Sequence, residues 1–190
     1  MCSTTDRNDW STTIREVLPA GYVRTVKSRI SDGRDDSLLD LQFIECLKYL
    51  AILNGTGGRR IPVTPEVDDV WHELIVQTAS YARLCAALPG GRFIHHESIT
   101  PLEYADRVGD HTFVAEFVQW IPDYVSNFGP FTEGAAQQWT VCRFLGDHMG
   151  MTLDDINKLG ATEAAEVSLP SDSPWKELGR HSGVSSLAAS

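Results

Sequence analysis

The sequence predicts an all-α, single-domain bundle of about six to eight helices with a poorly structured C-terminal tail. Three observations predict it. Apolar residues recur at i, i+3 and i+4 along most of the chain, and no long alternating run argues for a sheet. The periodic stretches are bounded by Gly, Pro and capping residues. At 190 residues the chain is long enough to bury one core without staples.

Taken in order, residues 1–10 are polar, lack the apolar core of a signal peptide and read as a flexible N-terminus. The helical domain is expected over 11–160. Residues 11–18 and 21–30 form two short helices separated by Pro19-Ala20-Gly21. A strongly apolar helix follows over 36–53, interrupted by Asp40, Gln42, Glu45 and Lys48, and so reads as a core helix and not a membrane span. It ends at Asn54-Gly55, ahead of a Gly-rich loop. The next helix has Thr64 as N-cap, Pro65 in the first turn and its end at Pro89-Gly90-Gly91. Its stripe is Val67, Val70, Trp71, Leu74, Ile75, Thr78, Tyr81, Ala82 and Cys85.

Arg92 to Glu97 reads as a short extended segment. Thr100-Pro101-Leu102-Glu103 opens a short helix to about residue 108. A longer helix starts near Asp110, is kinked or split by Pro122 and ends at Gly129-Pro130. One helix is expected from about Thr132 to Met149, and a last one over 153–159, capped by Thr152 and stopped by Gly160. Residues 161–190 are rich in Ser, Ala, Gly and Pro and read as a loosely packed or disordered tail.

Composition narrows the function classes. A formal net charge of −10 repels phosphate backbones and anionic lipid, so neither nucleic acid nor a membrane is the expected partner. The four cysteines form no C-x-x-C pair, which removes a zinc ribbon or finger. Cys46, Cys85 and Cys142 lie among apolar residues as reduced core thiols, which suits the cytoplasm. The G-x-S-x-G, P-loop and G-x-G-x-x-G signatures do not occur.

The chemistry-bearing residues concentrate between Pro65 and His96. Asp68 and His72 are four apart and share one edge of their helix. The carboxylate can fix the imidazole tautomer, or both can ligate one ion. Cys85 points elsewhere, into the stripe. A chain that doubles back after Gly90-Gly91 brings His95 or His96 toward this pair. Neighbours in an extended segment face opposite ways, so one of the two is expected inward. The candidate metal ligands are His72, Asp68 and either His95 or His96. Asp68, His72 and Tyr81 are the candidate catalytic groups, with Trp71 and Tyr81 lining a pocket. A structural role stands beside this, because a histidine at a stripe's edge commonly makes a packing hydrogen bond and Tyr81 can do the same.

The run Pro65-Glu66-Val67-Asp68-Asp69-Val70-Trp71-His72, then Thr78, Tyr81 and Cys85, then Gly91 to His96, resembles the bacterial branch of the glycine-rich-domain-containing protein family. Looser likeness continues through Tyr124 to Gly129, Trp139 and Met151 to Asn157, so the resemblance covers roughly residues 37–160. It implies an α-helical domain and marks Asp68, Trp71, His72, Tyr81, Cys85 and His96 as matching positions. The name-giving glycine-rich tail is absent from this chain.

Two functions remain open on this reading. One is a small enzyme using a divalent metal (iron, zinc, copper or manganese) on a small-molecule substrate, with oxidative tailoring in specialised metabolism as the expected setting. The other is a non-catalytic binding or adaptor module for a protein or peptide, in which the Asp-Trp-His element is structural.

Overall fold

The computed structural model describes residues 17–56, 61–96 and 101–166, without the side chains at 101, 102, 104, 105 and 110–115. Among these residues it is all helical, with nine helices and no strand. They are α1 (Ala20–Ile30), α2 (Asp36–Gly55), α3 (Pro65–Val76), α4 (Thr78–Ala87), α5 (Pro101–Val108), α6 (Asp110–Phe128), α7 (Glu133–Ala136), α8 (Thr140–Met149) and α9 (Leu153–Thr162). No helix among the described residues is long and apolar enough to cross a membrane. The expected helix over 11–18 and the tail beyond 166 lie outside the described residues.

The α2 helix is the core. From Leu41 to Asn54 every residue is buried, so this helix has no solvent face and must be covered on all sides. The covering elements are α1, α3, α6 and α7. In α1, Tyr22, Val26 and Ile30 recur every four residues and face inward. The Tyr22 hydroxyl donates to the Leu74 carbonyl at 2.9 Å, tying α1 to the last turn of α3.

The structure departs from the expected elements in four places, and each has a local cause. The helix expected to run from Thr64 to Leu88 breaks at Gln77, whose φ/ψ of −93°/63° is not helical. The break re-phases the second half. Tyr81, Leu84, Cys85 and Leu88 are buried, whereas Thr78 and Ala82, expected in the stripe, are exposed.

The helix expected over 132–149 also divides. Trp139 sits between α7 and α8 with extended backbone, φ/ψ −116°/118°, which places its indole fully inside the core. Val141, Cys142 and Leu145 are buried with it, while Met149 is exposed. These two divisions raise the number of helices above the expected range.

Pro122 does not split α6, which is one helix from Asp110 to Phe128. Nor does Gly160 stop α9, which continues to Thr162. The glycine is there for closeness: a Cβ at this position would lie 2.4 Å from Val125 Cγ2 and 3.1 Å from Ile121 Cγ2. It is what allows α9 to seat on α6. The capping box of Thr152 and Asp155 starts α9 as expected, and Asp123 Oδ1 receives the backbone N–H of Glu166 at 2.7 Å beyond its end.

Two predictions follow from this packing. Gly160→Val forces α9 off α6 and should lower the unfolding free energy by about 1–3 kcal/mol in denaturant titration. The second concerns alkaline pH. Burial pushes up the Cys46 and Cys142 thiols, Cys142 to about 12, and the Tyr22 and Tyr81 hydroxyls also rise, mainly through burial. Below the ordinary thiol value of 9.0 the folded and unfolded chains hold these protons alike, and the stability is fully present. Above it the unfolded chain releases protons that the fold retains, so stability falls as pH rises. Lys48 acts oppositely, because burial lowers its ammonium, but it is one group against four. The unfolding free energy should therefore decline from pH 9 toward 12. In Cys142→Ala the decline should be shallower, by up to about 1.4 kcal/mol per pH unit.

Candidate metal centre

The site is built on the exposed edge of α3. Proline in the first turn and Glu66 near the positive end of the helix dipole favour a start at Pro65. One face carries Val67, Val70, Trp71 and Leu74 into the core. Asp68 and His72, one turn apart, are left at the rim. His72 Nδ1 lies 3.0 Å from the Asp68 carbonyl oxygen and 3.3 Å from its Oδ2.

The third group arrives from residues 91–96, which have no regular secondary structure. His96 Nε2 is 3.2 Å from Asp68 Oδ1, so the carboxylate lies between the two imidazoles, one on each oxygen. The rings of His72 and His96 are 4.3 Å apart between centroids. One ligand atom from each of Asp68, His72 and His96 falls within 4.8 Å of the others. Around an ion with ligand distances of about 2.0–2.2 Å, adjacent ligand atoms are about 3.0–3.5 Å apart. His72 is the more accessible of the two imidazoles, its side chain 51% exposed. His96 is 18% exposed and held against the Trp71 indole, with centroids 4.5 Å apart.

Two clamps explain why His96 and not His95 joins Asp68. The first is Asn54, in the last turn of α2. Its side chain donates to the Arg92 carbonyl at 2.7 Å and accepts the Arg92 N–H at 3.2 Å, in the manner of a strand neighbour. The Arg92 guanidinium donates in return to the Asn54 carbonyl at 2.7 Å. Gly90 makes this approach feasible, since a Cβ there would lie 2.2 Å from Asn54 Oδ1.

The second clamp is a relay across the Gln77 break. Trp71 Nε1 donates to the Tyr81 hydroxyl at 2.9 Å, and that hydroxyl donates to the Ile94 carbonyl at 2.8 Å. With the backbone pinned at 92 and 94, Ile94 is buried and His96 is drawn inward. Phe93 and His95 are turned outward and lie against each other, with ring centroids 4.9 Å apart.

The candidate residues therefore separate into groups. Asp68, His72 and His96 converge, and His95 does not. Trp71 and Tyr81 are buried, with their polar atoms bonded to each other and to the backbone. They shape the site from beneath. Cys85 is buried in the core and free of any disulfide, as are Cys46 and Cys142. His148 is exposed in the last turn of α8, against Phe144. Asn54 is readable in the sequence only as a helix end, and nothing there shows that it meets the distant Gly90.

A second polar cluster lies entirely within the core. Glu45 Oε1 accepts from Lys48 Nζ at 2.7 Å, and its Oε2 accepts from Trp139 Nε1 at 2.9 Å. The Tyr124 hydroxyl donates toward the same carboxylate, 3.1 Å from Oε2, and accepts from Lys48 at 2.9 Å. Glu45, Lys48, Tyr124 and Trp139 are all fully buried. Burial lowers the Lys48 ammonium, and the adjacent Glu45 charge opposes that shift.

Tyr81→Phe tests the second clamp. It leaves the Trp71 N–H and the Ile94 carbonyl without their partner inside the core, and should cost about 1–3 kcal/mol in chemical denaturation. His95→Ala, on the outward face, should change stability by less than about 0.5 kcal/mol. Compared with protein-family models, with the curated proteins and with the solved structures, the chain matches none.

Proposed function

We propose that this chain is a small metal-dependent enzyme, with one divalent ion held by Asp68, His72 and His96. The observation that carries the reading is the convergence of two imidazoles and a carboxylate, their ligand atoms within 4.8 Å, at a half-exposed rim. Two nitrogens and one oxygen suit iron, copper, manganese or zinc better than calcium or magnesium. Three protein ligands would leave an ion with coordination positions free for a small-molecule substrate or an oxidant. An iron ion in a two-His, one-carboxylate set favours oxidative over hydrolytic chemistry, which fits tailoring of a small molecule.

One observation favours the alternative, a metal-free binding module. The Asp68 carboxylate already lies within reach of both imidazoles, so the cluster is satisfied without an ion.

Elemental analysis of the untagged protein, prepared without chelator, separates the two. The enzyme reading expects close to one equivalent of a transition metal, lost in His72→Ala and in His96→Ala while the helical circular dichroism is retained. His95→Ala should keep the metal. A folded chain that contains no metal and takes none up when iron, copper, manganese and zinc are offered would overturn the proposal and leave the module.

A further inference from the structure

The buried Glu45–Lys48 pair calls for an explanation beyond stability, because apolar residues of similar volume commonly serve a core as well or better. Its surroundings supply one. The proposed metal centre and this pair are joined by an unbroken series of ring contacts. His96 meets Trp71 at 4.5 Å between centroids, Trp71 meets Tyr49 at 5.3 Å, Tyr49 meets Trp139 at 6.3 Å, and Trp139 meets Tyr124 at 5.5 Å. Tyr49, Trp71, Trp139 and Tyr124 are buried, so the series is screened from solvent.

Its far end differs from the other tyrosines for which a hydroxyl partner is defined. Tyr22 and Tyr81 donate to backbone carbonyls, which are poor proton acceptors. The Tyr124 hydroxyl faces the Glu45 carboxylate. Lys48 donates to the same hydroxyl oxygen, which turns the phenolic proton toward Glu45. Trp139, the step before, directs its own N–H to that carboxylate.

The geometry points to Tyr124 as a redox-active residue, oxidised from the Asp68–His72–His96 centre through Trp71, Tyr49 and Trp139, with Glu45 as proton acceptor. The inference rests on the metal reading for its natural oxidant, which would be an iron, copper or manganese ion at the centre, oxidised beforehand by a peroxide; zinc, which has no redox chemistry, would not serve. In the step, Tyr124 loses one electron and one proton. The electron would travel along the rings to the centre, where the oxidised ion would take it up. The proton crosses the 3.1 Å hydrogen bond to Glu45, leaving a neutral tyrosyl radical and a carboxylic acid.

The test supplies the oxidant without a metal. In a full-length chain carrying Cys2→Ser and His72→Cys, a thiol-reactive ruthenium diimine label attaches at the centre, since Cys46, Cys85 and Cys142 are buried. Flash oxidation of the label in the presence of an electron acceptor should give a tyrosyl signal in electron paramagnetic resonance. With Tyr124→3-fluorotyrosine, which keeps the ring and hydroxyl, that signal should acquire a fluorine splitting. Trp139→Phe should diminish it, and its formation should slow in D2O. A tyrosyl signal without the splitting, a radical that stops on a tryptophan, or no protein radical in a folded labelled chain would overturn the inference. Because the label replaces the ion, none of these outcomes depends on whether the native chain binds metal.

Discussion

A carboxylate buried in the central helix sets the terms for the rest of the molecule. Glu45 lies in α2, on which α1, α3, α6 and α7 pack. A buried charge without partners is prohibitive, and losing one member of a buried pair costs about 3–5 kcal/mol. Its partners come from three places: Lys48 one turn along, Tyr124 from α6, and Trp139 from the junction of α7 and α8. Trp139 can reach it only because the chain leaves helical geometry there. The stacked pairs Trp139–Trp120 and Tyr124–Phe131 then fill the space around the cluster. One carboxylate thus fixes where α6 crosses α2 and where the C-terminal helices begin.

The same core helix reaches the candidate centre through its other end. Asn54 closes α2 and holds residue 92, while Tyr49, one and a half turns earlier, supports Trp71 from beneath. Asp68 and His72 belong to α3, and His96 to a segment with no regular structure. Their relative position is therefore set by contacts made to α2 and across the Gln77 break, with little contribution from the sequence immediately around His96.

This distribution explains what was legible beforehand. The Asp68–His72 pairing depends only on helix geometry, so their spacing sufficed. The choice between His95 and His96 depends on Asn54, 38 residues from Arg92, and on the Tyr81 hydroxyl, 13 residues from Ile94. No local pattern carries that information. The breaks at Gln77 and before Trp139 occur without glycine or proline; they exist because tertiary partners claim Tyr81 and Trp139. Gly160 shows the reverse: a residue that usually ends helices serves inside one as space for Val125. In α2, Glu45 and Lys48 were visible as interruptions of an apolar run, but their partners lie 76 to 94 residues away.

The unequal burial of the two imidazoles has a kinetic consequence. His96 is wedged against Trp71, whereas His72 is half in solvent. An ion held there would be approached from the His72 side, and with that imidazole swung away it would still be bonded to Asp68 and His96. No helix would have to open.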